Sequence, residues 1–223
     1  MNFMIKSENA FDPLFEFEKL IADYFNAPYA VAVDCCTHGL EMCLHISKYK
    51  KIFCPKKTYI SVPFMLEKIK ADYELTDSPW IDFYYLTPDV IDAAVYWKKD
   101  GYIKNTKMCL SFHIKKHLNI GKGGMILLDD KEEYERLKRM RYDGRSIYDG
   151  VLYENDDIKD LGYHYYMTPE TAKSGIPLFH FKKEFLPKTI TDKDYSDVTQ
   201  LSFFKDKLNS SRTKSTIPSF GDA

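Results

Sequence analysis

The stretch CLSFHIKKHLNIGKGGMILLD, residues 109–129, decides how this chain is read. An apolar run over 108–112 contains Ser111 and leads into His113, and Lys115 and Lys116 follow. A turn rich in glycine (Gly121, Gly123, Gly124) precedes a second apolar run over 125–128. Both runs have the length and composition of buried strands. Their order places a hydroxyl, an imidazole and two amines at a strand end, the edge where open α/β sheets bind ligands. A lysine that loses solvation there gives up its proton more easily and can attack a carbonyl.

The flanking sequence supplies the rest of the sheet. Asp12-Pro13 predicts a helix start, with Asp as N-cap and Pro at the first turn, running to Asn26. Short β-branched or apolar runs predict strands over 29–33, 51–55, 72–76 and 90–96. Apolar residues at helical spacing predict helices over 37–47, 59–69 and 131–141, and Thr168-Pro169-Glu170 starts another. Residues 79–87 are aromatic and ambiguous. Residues 143–167 read as a long polar-aromatic loop. Strands alternating with helices predict an α/β fold with a mostly parallel sheet flanked by helices. One large domain spans 1–186. Residues 187–223 read as a loosely ordered C-terminal extension, because the sequence turns polar and loses its period.

Composition narrows the function classes. The formal net charge of -1 favours neither nucleic acid nor an anionic membrane. No stretch of about 18 apolar residues is present, which excludes a transmembrane helix. The first 15 residues have no long apolar core after their one lysine, so no signal peptide is expected. The five cysteines lie in apolar runs without zinc-ligand spacing. They read as reduced, buried small hydrophobes, with no metal expected and a cytoplasmic location.

Four positions carry possible chemistry. Lys116 is either a solvated surface charge or a strand-end nucleophile. Asp92 interrupts an apolar run; it either caps the next helix or faces a cation such as a protonated pyridine nitrogen. Thr37 stands between a strand and a helix, as a plain N-cap or beside a bound anion. Tyr59 is a core or surface aromatic, or a ring stacked on a flat cofactor.

In order, these pieces resemble the sugar-nucleotide aminotransferase family of DegT/DnrJ/StrS type, pyridoxal-phosphate enzymes of aspartate-aminotransferase fold. SFHIKK followed by GKGG is similar to the family's strand end, cofactor-bonding lysine and glycine turn, and the count selects Lys116 over Lys115. IDAA matches the segment of the pyridine-nitrogen aspartate, which makes it Asp92. Cys35-Cys36-Thr37-His38 resembles the phosphate turn, and Thr58-Tyr59 the pair whose ring stacks on the cofactor. DGR followed by LGYHYYMTPETAKSG is similar to a downstream segment near the partner subunit's contribution, with His164 and Tyr166 at its Asn and Arg positions. The resemblance thus implies Lys116 as the catalytic residue. It implies a cofactor-binding set of Asp92, Tyr59, Thr37, His38, Ser111, His113 and His164.

It further implies pyridoxal 5'-phosphate, a nucleotide-linked keto-deoxysugar acceptor, an amino-acid donor such as glutamate, and a homodimer with shared active sites. Residues 80–85 and 142–166 are candidate dimer contacts. The chain departs from the family in length. It lacks a strand and crossover between Thr76 and Val90, and the small C-terminal domain is reduced or missing. Val95 stands where a polar residue usually meets the cofactor ring oxygen, and Lys122 replaces an acid of the glycine turn. Two other readings remain: a non-catalytic or regulatory subunit of the same fold, and a pyridoxal-phosphate-dependent sugar dehydratase. Family dehydratases carry histidine at the lysine position, so Lys116 favours transamination.

Overall fold

Pro13 presets the backbone for the first helix, α1 (Asp12–Phe25), and the helix closes at Asn26 in the left-handed region, φ 57°. The side chain of Asp12 makes no cap; Phe11 holds that position. The computed structural model describes residues 9–147 and 152–206. After α1 come β1 (Tyr29–Val33), α2 (Cys36–Ile46), β2 (Ile52–Pro55), α3 (Ser61–Lys68), β3 (Tyr73–Thr76), β4 (Tyr84–Thr87) and β5 (Val90–Asp92). Then follow β6 (Lys107–Ser111), β7 (Gly124–Leu128), α4 (Lys131–Met140) and α5 (Pro169–Lys182).

The sheet order is β1-β7-β6-β5-β4, with a separate parallel pair β2-β3 alongside β4. Every residue of β7 is buried, as a central strand covered on both faces requires. Alternation sorts its side chains. Met125 and Leu127 join Ala30, Ala32 and the α1 residues Phe17 and Ile21 on one face. Ile126 and Leu128 join Val31, Val33, Leu40 of α2 and Leu137 of α4 on the other. The result is an α/β/α layering, with α1 and α5 packed against each other on one side.

The expected mostly parallel sheet is corrected to a mixed one. Only β5–β6 and β2–β3 pair in parallel, while β1–β7, β6–β7 and β4–β5 are antiparallel. The connections explain this. Only Pro88 and Asp89 separate β4 from β5, and the loop between β6 and β7 contains no helix that could carry the chain back across the sheet. β1, β5 and β6 still run the same way. Their ends, Val33, Asp92 and Ser111, meet the starts of β7 and β4 at one edge.

Three further expectations change. The strand expected over 90–96 stops at Asp92, whose Oδ1 accepts the Ala94 N–H at 2.9 Å and turns the chain. The aromatic stretch 80–85, ambiguous in the sequence, divides between core and surface, with Ile81 and Tyr85 exposed. Trp80 and Tyr84 are buried, and the Trp80 indole N–H donates to the Lys57 carbonyl at 2.8 Å. The extension past 187 is docked as far as it is described. Val198 and Phe204 are buried, Asp82 N–H donates to the Ile190 carbonyl at 2.7 Å, and Val198 N–H donates to the Lys56 carbonyl at 2.9 Å. The expected loose tail over the last dozen residues lies outside the described residues. No helix among those described is long and apolar enough to cross a membrane.

A buried ion pair ties these layers together. Arg141, at the end of α4, is fully buried and donates to Glu18 Oε1 of α1 and to the Ala32 carbonyl at 2.8 Å. Glu18 Oε1 also accepts the Ala32 N–H at 2.8 Å. Both contacts fall on β1, one residue before the strand end that opens into the site.

Candidate active site

A cavity of about 720 Å³ opens at the edge where β1, β5 and β6 end. That volume suits a small-molecule ligand. Of the residues singled out in the sequence, Lys116, Asp92, Tyr59, Thr37, Ser111 and His113 line it.

Asp92 is its buried acid, 5% exposed. Oδ2 accepts the Tyr84 hydroxyl at 2.6 Å, and Tyr84 in turn meets Thr58 Oγ1 at 2.5 Å. Burial raises the Asp92 carboxyl above its ordinary value. The Tyr84 hydroxyl, the Ala94 N–H and the positive charge of Lys116 pull it partly back. Among the described residues no cationic side chain hydrogen-bonds Asp92, so its natural complement is a cation brought in by a ligand.

Lys116 is placed by the loop between β6 and β7. Phe112 N–H donates to the Gly123 carbonyl (2.9 Å), Ile114 N–H to Gly121 (3.0 Å), Lys116 N–H to His113 (2.8 Å) and Ile120 N–H to Phe112 (3.1 Å). Phe112 and Leu118 are buried beneath and fix the loop. Lys116 is half-buried and forms no ion pair among the described residues, and its charge reaches both Asp92 and Cys36. Lys115 also lines the cavity but is exposed.

The N-terminus of α2 forms another wall. Its cap is Cys35, whose Sγ accepts the His38 N–H at 3.5 Å, and not Thr37 as the simplest reading of the sequence expects. The Thr37 hydroxyl instead meets Ser61 Oγ at 2.7 Å and joins α2 to α3. Gly124 lies directly beneath. A Cβ there would sit 2.6 Å from the Cys35 carbonyl carbon and the Cys36 nitrogen, so only glycine lets β7 approach this turn. This helix start lines the cavity together with Ser111 and Lys122 and suits an anion such as phosphate. Tyr59, 56% exposed, presents its ring at the rim.

In sequence and fold the chain is similar to known proteins. The sequence fits the profile of the DegT/DnrJ/EryC1/StrS aminotransferase family over residues 11–103 and 87–183. The chain belongs to this family. It is 32% identical over 117 residues to an uncharacterized protein of Methanocaldococcus jannaschii, a match covering 49% of this chain and 28% of the relative. Among solved structures it superposes on AtS13 from Actinomadura melliaura with TM-score 0.67 and 19% identity, covering 77% of this chain and 60% of that one. The sugar aminotransferase CalS13 from Micromonospora echinospora gives 0.64 and 16%, covering 78% and 62%. Helicobacter pylori PseC, an aminotransferase involved in the biosynthesis of pseudoaminic acid, gives 0.66 and 12%, covering 96% and 82%. The chain therefore spans about 60% of the length of AtS13 and CalS13. At these identities the likeness to solved structures concerns the fold alone.

Two residues that the family resemblance assigned to the cofactor are not among those lining this chain's own cavity. His164 is exposed beside Asp143 at 3.2 Å and does not line the cavity. His38 also faces away from it. Its ring stacks on Tyr165 (centroids 3.7 Å apart, 10°), and Nδ1 meets Asp34 Oδ1 at 2.7 Å. The other Asp34 oxygen accepts Lys122 at 2.9 Å. Asp34, Cys35 and His38 put three potential ligand atoms within 4.8 Å of one another. The carboxylate among them is already shared by two cationic groups.

Burial alone would lower the His38 pKa, but the Asp34 hydrogen bond, Cys35 and the Asp34 charge outweigh it and raise it from 6.5 to about 9. The folded value lies above the unfolded one. The stabilisation is therefore complete below about pH 6.5 and is lost as pH rises to about 9. The urea midpoint of the wild-type chain is expected to fall across this window, and His38→Gln should flatten that dependence. An equally steep fall in the variant would assign it to another group.

The sequence named Thr58 only as the neighbour of Tyr59; it missed Tyr84 and the residues past 187 that complete the cavity, Ile190, Asp194 and Tyr195. No spacing rule pointed to them. Tyr84 reaches Asp92 only through the β4–β5 hairpin, and Tyr195 arrives from more than a hundred residues downstream.

Proposed function

We propose that this chain is a pyridoxal-phosphate-dependent aminotransferase acting on a nucleotide-linked keto-deoxysugar, with an amino acid such as glutamate as donor. The observation that carries this reading is the pairing, in one cavity, of a half-buried lysine and a buried acid that lacks a cationic partner among the described residues. The cavity fits the cofactor's separate demands. Asp92 would hold a protonated pyridine nitrogen, and Tyr59 would cover one ring face. Ser111, Thr37 and the first amides of α2 would hold the phosphate, with His113 and Lys122 beside them. Bound there, the cofactor supplies an aldehyde that captures amines and a ring that accepts electron density. Lys116 would hold the cofactor, give way to the incoming amine, and then carry a proton between donor and acceptor positions. Such general acid–base work contributes about 100- to 10,000-fold in rate.

The direct test is cofactor uptake per chain, followed by amino transfer from glutamate to a nucleotide keto-sugar. Asp92→Asn removes the charge that keeps the ring nitrogen protonated. We expect it to retain bound cofactor while amino transfer falls by about 100-fold or more, the range of a lost acid–base partner. Full activity in Asp92→Asn would remove that role.

A second reading is a non-catalytic subunit of the same fold. It is favoured by the length shared with AtS13, 60% of that chain. Cofactor uptake without amino transfer in the isolated chain would support it. A sugar dehydratase would be recognised by loss of a hydroxyl from the keto-sugar without nitrogen incorporation. We further infer a two-fold homodimer, to be checked by mass in solution. Part of the loop expected to contribute is engaged internally, since Tyr163 and Tyr165 stack on each other and Tyr165 covers His38. Residues 148–151 of that loop lie outside the described residues.

A further inference from the structure

The segment past α5 supplies one wall of the cavity, and its fixation is well defined. Ile190 N–H donates to Asp82 Oδ1 at 3.1 Å and Asp192 N–H to the Trp80 carbonyl at 3.1 Å. Thr191 and Asp194 form a reciprocal cap. Asp82 and Asp194, both cavity-lining, thus spend their carboxylates on holding this strap. Tyr195 differs. Its ring packs beside Trp80, centroids 5.4 Å apart, its hydroxyl makes no hydrogen bond among the described residues, and the residue lines the same cavity as Lys116 and Asp92. Burial, then the charges of Asp92, Asp194 and Tyr59, raise this phenol to about 12. It is therefore a proton donor at neutral pH.

We propose that Tyr195 is a further cofactor-contacting residue, its hydroxyl donating to the ring oxygen of bound pyridoxal phosphate. This rests on the cofactor reading above. The assignment follows by elimination over the cofactor's polar groups. Asp92 serves the nitrogen, the α2 terminus with Ser111 serves the phosphate, and Lys116 serves the aldehyde. The phenolic oxygen remains. Val95, which also lines the cavity, offers it no polar atom. Tyr59 is committed through its ring face, which leaves the Tyr195 hydroxyl as the available phenol. The strap thereby gains a reason for its many anchors: it delivers a donor that the sheet edge does not supply.

Tyr195→Phe keeps the ring against Trp80 and removes only the oxygen. Cofactor dissociation constants, read by quenching of tryptophan fluorescence, should rise about 3- to 10-fold, the worth of one hydrogen bond. The pH midpoint of the visible band of lysine-bound cofactor should also move, a change that looser packing alone would not produce. The same loss of affinity is expected when Tyr195→Phe is compared with its parent in a Lys116→Ala background, where binding is non-covalent. Unchanged affinity and midpoint would overturn the role of Tyr195 alone. Failure of the wild-type chain to take up pyridoxal phosphate would overturn the cofactor reading and this proposal with it.

Discussion

Lys116→Ala is expected to abolish the visible absorbance of lysine-bound cofactor and to lower amino transfer by at least about 100-fold, while Lys115→Ala leaves both in place. The two amines are sequence neighbours, so composition alone does not choose between them. The fold does. Lys116 is half-buried, and its charge is felt by Asp92 and Cys36, both buried residues that line the cavity. Lys115 is exposed, and its N–H is spent on His113 Nδ1 at 3.3 Å. The next residue, His117, points the other way and meets the Lys182 carbonyl at 3.1 Å. Borohydride reduction followed by peptide mass analysis checks the assignment independently of turnover. A label on Lys115, or on neither lysine, would reject it.

The largest effect on stability is expected at Glu18. Glu18→Ala should cost about 3–5 kcal/mol, read as a fall in the urea midpoint, because it strands the guanidinium of Arg141 in the core. Arg141 is already poorly served: its Nε and Nη2 find no hydrogen-bond partner among the described residues. Glu18 Oε1 is therefore the one described anion holding a fully buried cation, and it also accepts the Ala32 N–H. A Glu18→Met, Arg141→Met pair removes both charges and should recover much of the loss, since replacing a whole buried pair with apolar side chains is often neutral. If Glu18→Ala were as stable as wild type, the pair would have to be open to water.

The sequence disclosed local features with little error where one principle acted alone. The helix opening at Pro13, the apolar alternation in β1 and β7, and the glycine turn before Met125 were all legible, because backbone propensity and burial agree there. Strand direction was not. Alternating strands and helices suggested parallel pairing, but direction depends on how each connection returns, and the β4–β5 hairpin lay hidden in an ambiguous aromatic run. The run over 90–96 reads as one strand because its residues are apolar. The Asp92 side chain ends it by bonding the Ala94 N–H. His38 and His164 owe their expected roles to position in a motif, and each finds a nearer carboxylate, Asp34 and Asp143. The polar composition past 187 suggests a loose tail, yet backbone hydrogen bonds to residues 56, 80 and 82 anchor it.

By itself, the sequence determined that a serine, a histidine and a lysine stand at the end of one apolar run, that an acid interrupts another, and that a glycine-rich turn leads into a third. Those are properties of short segments, set by burial, by backbone freedom and by chain order. Tertiary structure alone decided that Lys116 and Asp92 share a cavity, that Tyr84 steadies the acid, and that Tyr195 closes the wall. The reason is physical. Each of these relations joins residues distant along the chain, and each exists only because strands of different connection lengths bring their ends to one edge of the sheet.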